Sequence, residues 1–291
     1  MARRIPSWLK TELPDGSSLR RIREAVTSIG LNTICYEARC PNKAECFSQR
    51  SVTFLILGRK CTRTCRFCNV EPSQPEPVDR DEPRKILSAC IDLDLDYVIR
   101  TSVTRDDLPD YGASHFKSCV EMLKRNRSNC RIELLTPDFM GSFNLVDQIV
   151  DAGTDVFGHN VETVERLYPS VRDRASYDRS LGLLEYVKSR FPTVITKTGL
   201  LLGFGENHQE VRKTLCQIRD AGCDIVTIGQ YMQPSRRHLA VSEYVSPEVF
   251  EDLRGFAEDL GMVAICGPRV RSSFGAKAAY EAVQSRRHRC G

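Results

Sequence analysis

The chain has 291 residues, 41% hydrophobic and 27% charged, the make-up of a folded globular protein rather than a disordered one. Lys plus Arg is 42 against 38 for Asp plus Glu, a net of +4 that is too small and too evenly spread to argue for nucleic acid as a partner. No stretch approaches ~18 consecutive apolar residues, so no membrane span is expected. The start, Met1-Ala2-Arg3-Arg4-Ile5-Pro6, lacks the apolar stretch of a secretory signal and is too short for a transit peptide. Thirteen cysteines, an odd number with no export signal, argue against a disulfide framework and for a reducing cytoplasm. Six of the thirteen lie between Cys35 and Cys68.

The first ~50 residues read as irregular or short helical structure. A strand is expected at 53–57, and the stretch Glu71-Pro72-Ser73-Gln74-Pro75-Glu76-Pro77 is too rich in proline for helix or interior strand, so it reads as a loop. Further strands are expected at 97–100, 131–135, 155–157, 194–198, 224–228 and 262–266, each short and apolar as strands buried on both faces are. Amphipathic segments separate them. Val211, Leu215 and Ile218 share one helical face, with Gly222 placed to stop that helix. Ser246 and Pro247 open another, which ends at Gly261. Strand–helix alternation repeated six or seven times implies parallel strands with crossover helices. Periodicity does not separate a doubly wound sheet from a barrel, and six units would make any barrel a partial one.

The strongest motif is Cys61-Thr62-Arg63-Thr64-Cys65-Arg66-Phe67-Cys68, directly after the first strand of that series. Three thiolates on so short a loop suit three irons of one four-iron cluster and leave the fourth iron open to a substrate. Phe67 would shield the cluster from water. The competing reading is a zinc site, which more often takes paired C-x₂-C and four ligands, or three buried cysteines. A second trio, Cys35, Cys40 and Cys46, again lacks a fourth cysteine nearby. Near the C-terminus stands Arg271-Ser272-Ser273-Phe274-Gly275-Ala276. A serine oxygen is a weaker iron ligand than thiolate, whereas the plainer reading of this serine pair is the N-cap of a helix over 274–285.

The C-x₃-C-x₂-C loop after a β/α strand resembles the radical S-adenosylmethionine superfamily. Together with the C-x₄-C-x₅-C trio and the RSS segment it closely resembles the lipoyl synthases. The likeness runs from Pro6-Ser7-Trp8-Leu9-Lys10 through Arg105-Asp106-Asp107-Leu108, Asn160-Val161-Glu162-Thr163, Lys197-Thr198-Gly199-Leu200 and Thr227-Ile228-Gly229-Gln230-Tyr231-Met232-Gln233-Pro234-Ser235 to RSS.

This resemblance implies an α/β fold, a partial (β/α)6-type TIM barrel over 51–266. An N-terminal extension (1–50) and a C-terminal extension (267–291) would carry the auxiliary cluster. It implies two 4Fe-4S clusters and S-adenosylmethionine as cofactors. Cys61, Cys65 and Cys68 would hold the cluster that cleaves S-adenosylmethionine; Cys35, Cys40 and Cys46, completed by Ser273, would hold the auxiliary cluster that gives up sulfur. The implied reaction inserts two sulfur atoms into the octanoyl chain of an octanoylated lipoyl domain or glycine-cleavage H-type carrier protein. Deoxyadenosyl radicals remove hydrogen from carbons that have no useful acidity. A small electron donor such as ferredoxin or flavodoxin and an iron–sulfur carrier for cluster repair are the further partners expected.

Asn160 and Glu162 resemble family positions that hold the cofactor's polar groups, and Thr101 and Ser102, after the second strand, could meet its methionine moiety. Arg271 could bind substrate or pair with a carboxylate. Asp106 and Asp107 could cap a helix or order the site, and Gly203-Phe204-Gly205 reads as a turn. Cys90, Cys119, Cys130, Cys216, Cys223, Cys266 and Cys290 read as inert thiols. Arg286-Arg287-His288-Arg289 reads as a solvated, frayed tail, or as a dock for an acidic carrier domain. The chain departs from the family's usual pattern at Tyr36, Tyr111, Gly158, Phe274 and Gly275, none of them a proposed iron ligand. The alternatives are a divergent radical sulfur-inserting enzyme with another acceptor, and a two-cluster electron carrier, which would need four protein ligands per cluster.

Overall fold

The computed structural model describes residues 5–10, 20, 22, 24 and 26–290. Residues 1–4 and the side chain of Cys290 lie outside the described residues. The chain divides into two compact units: Leu13–Thr64 with Asn69–Phe157, and Met1–Glu12 with Cys65–Cys68 and Gly158–Gly291.

In the first unit β1 (Asn32–Thr33) is followed by two short helices, α1 (Ile34–Glu37) and α2 (Lys43–Ser48), and then by β2 (Thr53–Ile56). The two-residue strands β3 (Lys60–Cys61) and β4 (Glu71–Pro72) come next, then α3 (Glu82–Asp92), β5 (Tyr97–Ser102), α4 (Ala113–Asn126), β6 (Arg131–Leu135) and α5 (Phe143–Asp151). β1 pairs antiparallel with β2, and β2, β5 and β6 pair parallel in that order. Every residue of β2 is buried, as the continuous apolar run requires, and Ile86, Phe116 and Ile132 are fully enclosed. β3 and β4 form a separate parallel pair. The proline-rich loop therefore begins with a strand residue pair, and Pro72 is tolerated because this little sheet has only edges.

β7 (Val156–Gly158) leads into the second unit, where α6 (Tyr168–Val171), α7 (Tyr177–Arg190), β8 (Ile195–Leu202), α8 (His208–Asp220), β9 (Ile225–Gln230), α9 (Pro247–Asp259), β10 (Val263–Gly267) and α10 (Ala276–Cys290) follow. β8, β9 and β10 are parallel neighbours. The backbone beyond β7 joins β8 through His159 N–H to Lys197 O (3.0 Å) and Glu162 N–H to Gly199 O (2.8 Å). Leu184, Leu200, Leu215, Ile228 and Phe250 form the core of this unit. The helix signals work as expected. Asn207 and Glu210 form a reciprocal capping box at the start of α8, and Gly222 (φ 74°) and Gly261 (φ 90°) follow α8 and α9 in the left-handed conformation. No helix among the described residues is long and apolar enough to cross a membrane.

Two expectations fail here. The basic tail is not frayed. Arg287 Nη1 donates to Thr193 O (2.6 Å), and Arg286 Nη1 donates to Gly261 O and Met262 O (both 3.1 Å). These arginines satisfy carbonyls at loop positions before β8 and β10, where a cation is favoured beside the C-terminus of α9. The serine pair is not a helix cap either, because α10 starts at Ala276 and the residue before it is Gly275, at φ 62°.

Candidate active site

The loop bearing Cys61 springs from the end of β2, and Leu57 sets its direction. Leu57 takes a left-handed φ of 67°, uncommon for a branched side chain. Its N–H donates to the Glu82 carboxylate (3.0 Å) and its carbonyl accepts from Arg105 Nη1 (3.2 Å). A Cβ on Gly112 would stand 2.4 Å from Leu57 Cδ1 and push that side chain aside, and the φ of 87° there favours glycine. Glu82 also meets His115 Nε2 at 2.6 Å. Burial alone would lower the His115 pKa, but hydrogen bonds to Cys119 and Glu82 outweigh it and raise the imidazole to about 9. Cys61 Sγ accepts N–H groups from Arg63 (3.5 Å) and Thr104 (3.3 Å). Amide groups aimed at a sulfur suit a thiolate bound to iron, whose potential such bonds tune.

Cys65 and Cys68 belong to the second unit. The Leu239 N–H donates to Arg66 O (3.1 Å), the Arg66 N–H to Val171 O (3.0 Å), and His238 Nε2 lies 2.9 Å from Cys68 O. The segment carrying His238 is organised by Gln230, which is fully buried. Gln230 Nε2 donates to the carbonyls of Leu202 (3.0 Å), Tyr231 (3.0 Å) and Glu243 (2.9 Å), and its Oε1 accepts from the Val245 N–H (2.8 Å). Gly203 leaves room for it, since a Cβ there would fall 2.3 Å from Gln230 Nε2. The turn expected at 203–205 is present, with Gly203 at φ 110° and Gly205 at φ 107°. Phe67 packs edge-on to Phe204, which stacks on Tyr231 at 4.3 Å, so the shielding expected of Phe67 has an aromatic backing.

Past β7, Asn160 Nδ2 donates to Glu162 Oε1 (2.9 Å) and to Ser272 Oγ (2.5 Å). Glu162 sits at φ 70°, held there by backbone bonds on both sides: its N–H to Gly199 O and its carbonyl from the Leu201 N–H, each 2.8 Å. A strained backbone fixed this firmly is characteristic of functional positions. Burial raises the Glu162 pKa, opposed by the Arg172 charge, the Asn160 hydrogen bond and Arg271. Arg172 Nη1 donates to Asn160 O (2.6 Å) and Tyr168 Oη (2.7 Å), while its buried Nε has no partner among the described residues. Two glycines let the RSS segment approach the strands. A Cβ on Gly229 would stand 2.0 Å from Val270 O, and one on Gly199 would stand 2.8 Å from Thr227 Oγ1, 3.0 Å from Asn160 Oδ1 and 3.1 Å from Ser272 Oγ. Arg271 turns one donor back to Val270 O (2.7 Å).

Cys35 lies in α1, Cys40 in the turn after Arg39 (φ 50°), and Cys46 in α2. The Cys40 N–H donates to Cys35 O (3.0 Å), and Asn69, next after Cys68 in sequence, donates to Glu37 O (2.7 Å). Burial pushes the Cys35 thiol up to about 11 and the Cys46 thiol up to about 12, with Cys40 raising both. Without metal these thiols stay protonated, and a bound cation would be needed to draw off their protons. Among the described residues no three His, Cys, Asp or Glu side chains close around a single ion. Cys35, Cys40 and Cys46 offer an all-sulfur donor set whose thiols are near enough to raise one another, and the amide groups directed at Cys61 suit a thiolate ligand.

Thr101 and Ser102 are the last residues of β5 rather than its sequel. Thr101 Oγ1 is spent on Leu135 O (3.0 Å), whereas the buried Ser102 Oγ has no partner among the described residues. Asp106 and Asp107 cap no helix; they pair with Arg63 and Arg105, each at 2.8 Å. Cys90, Cys119, Cys130 and Cys223 are buried and Cys216 and Cys266 half-buried, none of them in a disulfide. Of the departures, Tyr36 packs on Phe47 beneath Lys43, and Tyr111 takes φ 52° where the family's glycine would sit freely. Sequence reasoning missed Ser272, Arg172, Gln230 and the Glu82–His115 pair. Only Gln230 and Ser272 lay inside motifs already singled out.

Residues 55–229 match the Radical SAM superfamily, and residues 1–40 match the N-terminal domain of lipoyl synthase of that family. The lipoyl synthase of Caldicellulosiruptor bescii is 46% identical over 281 residues, 96% of this chain and 97% of that one. That of Methanocella arvoryzae is 45% identical over 281 residues, covering 96% and 95%. The mitochondrial lipoyl synthase of Schizosaccharomyces japonicus is 44% identical over 286 residues, covering 96% and 76%. Among solved structures, methylornithine synthase shares the fold at a TM-score of 0.56 and 13% identity, over 89% of this chain and 80% of that one. Streptococcus suis SuiB bound to S-adenosylmethionine does so at 0.55 and 12%, over 75% and 49%. The fold class is thus the partial (β/α)6 barrel that the motifs implied, and the chain belongs to the lipoyl synthase family of the radical S-adenosylmethionine superfamily.

Proposed function

We propose that the chain converts the octanoyl group of an octanoylated lipoyl domain, or of a glycine-cleavage H-type carrier, to a lipoyl group. In this reading Cys61, Cys65 and Cys68 hold one 4Fe-4S cluster, and Cys35, Cys40, Cys46 and Ser273 hold the second. Residues 1–50 and 267–291 act as extensions to the barrel of 51–266 that supply the second set. When bound, the clusters and S-adenosylmethionine supply the radical that takes hydrogen from alkyl carbons and the sulfur that replaces it.

The observation that carries the reading is the bond from Asn160 to Ser272. It ties Ser272, the neighbour of Ser273, to the polar pair Asn160–Glu162, so the segment assigned to the sulfur source is joined to the residues assigned to the cofactor. Asn160 and Glu162 bind and orient the cofactor's polar groups, Ser102 offers a buried hydroxyl, and Thr101 serves the strand instead. Phe67, Phe204 and Tyr231 exclude water, as a radical intermediate demands. Ferredoxin or flavodoxin as reductant, an iron–sulfur carrier for repair and a cytoplasmic setting complete the proposal.

The test is spectroscopic. Adding S-adenosylmethionine to the anaerobically reconstituted, dithionite-reduced protein should perturb one cluster's signal and release 5′-deoxyadenosine. An unchanged signal with no cofactor cleavage would fit the electron-carrier alternative and defeat the reading.

A further inference from the structure

The motif Arg105-Asp106-Asp107-Leu108 has no part in the chemistry above, yet residues 104–106 grip the start of the cluster loop. Asp106 receives two hydrogen bonds from Arg63, Nε to Oδ2 at 2.8 Å and Nη2 to Oδ1 at 2.9 Å. The same Nη2 reaches Asp138 Oδ1 at 2.7 Å. Thr62 donates twice to Thr104 O, from N–H (3.1 Å) and from Oγ1 (3.0 Å), and Thr62 Oγ1 accepts from the Asp106 N–H (3.1 Å). With the Thr104 N–H on Cys61 Sγ, residues 61, 62 and 63 are each held in turn.

Arg63 is 5% exposed and Asp138 1%. Burying a cation and a carboxylate this deeply costs much of what their pairing returns, so such a network adds little net stability. What it does supply is geometry: the planar guanidinium bridges two carboxylates in one orientation only.

We propose that Asp106 and Asp138 are positioning residues for the cluster of Cys61, Cys65 and Cys68. Through Arg63 they fix the backbone that carries Cys61, so that the cluster, once bound, is retained there. This deepens, and rests on, the assignment of those three cysteines.

The experiment uses the full chain carrying Cys35→Ala, Cys40→Ala and Cys46→Ala, which leaves one cluster, with Asp106→Asn, Asp138→Asn or Arg63→Lys added. After anaerobic reconstitution, iron release to a ferrous chelator is timed, and unfolding of the metal-free chains is compared. Release should quicken by about tenfold or more in each Asp→Asn variant, the size of effect expected from a lost charged hydrogen bond. Arg63→Lys, which keeps the charge but loses the fork, should behave likewise and stands in if Asp138→Asn does not fold. In the reciprocal chain carrying Cys61→Ala, Cys65→Ala and Cys68→Ala, the same changes should alter release by less than about twofold, as for uncoupled sites. Unchanged release from the first cluster, or equal quickening of both, would overturn the proposal. If the single-cluster chain with Arg63, Asp106 and Asp138 intact takes up no iron, the cysteine assignment itself fails and takes the proposal with it.

Discussion

Asn160 and Ser272, 112 positions apart in sequence, are joined by a 2.5 Å hydrogen bond above Gly199. The arrangement depends on that glycine having no side chain, because the space its Cβ would need is taken by Thr227, Asn160 and Ser272.

Gly199→Ala should therefore separate the two halves of the network. Overpacking of this kind costs about 1–3 kcal/mol, and the protein should still fold. The change should weaken S-adenosylmethionine binding to the reduced enzyme by about tenfold, the equivalent of ~1.4 kcal/mol. Titration of the cofactor against the cluster signal checks this, and wild-type affinity would contradict it.

The Glu82–His115 pair gives a pH signature. Because the folded imidazole is raised from 6.5 to about 9, its contribution to stability is complete below 6.5 and is lost as pH rises through about 9. Its size is on the order of 2 kcal/mol. His115→Gln should flatten that part of the stability curve, as followed by denaturant unfolding on both sides of the window. An equal fall with pH in the variant would show that another group is responsible.

Gln230 holds the segment that braces Cys68. Gln230→Ala withdraws the partner of the Val245 N–H and Glu243 O inside the protein, at a cost of about 2–4 kcal/mol. Chemical denaturation should show that loss, and reconstituted iron content should fall with it.

The basic tail should matter for stability alone. Arg286→Ala with Arg287→Ala removes the bonds to Gly261, Met262 and Thr193, costing about 1–3 kcal/mol. These carbonyls precede β10 and β8, whereas Asn160, Glu162 and Ser272 gather beyond β7 and along β8. KM for the octanoylated protein should stay the same while the midpoint of thermal unfolding drops.

What could be read from the sequence follows from spacing. The cysteine trios are local patterns, the strands announce themselves as apolar runs, and helices α8 and α9 stop at Gly222 and Gly261. The Arg63–Asp138 bond and the Asn160–Ser272 bond were beyond reach, because each joins residues that only the folded sheet brings together. The serine pair misled for a related reason: a hydroxyl before a helix looks like a cap, and only the observed start at Ala276 releases it for another role. The tail misled because a run of basic residues looks frayed until the helix it belongs to, and the carbonyls that Arg286 and Arg287 bond, are known.

The most direct measurement mixes anaerobically reconstituted enzyme, S-adenosylmethionine, dithionite and an octanoylated lipoyl-domain peptide, and follows the peptide's mass beside a Ser273→Ala variant. The peptide should gain two sulfur atoms, in an amount no greater than the enzyme present, and the variant should fall well short. Cofactor cleavage with no sulfur on the peptide would contradict the assigned substrate, and full activity in Ser273→Ala would contradict the ligand set of the second cluster.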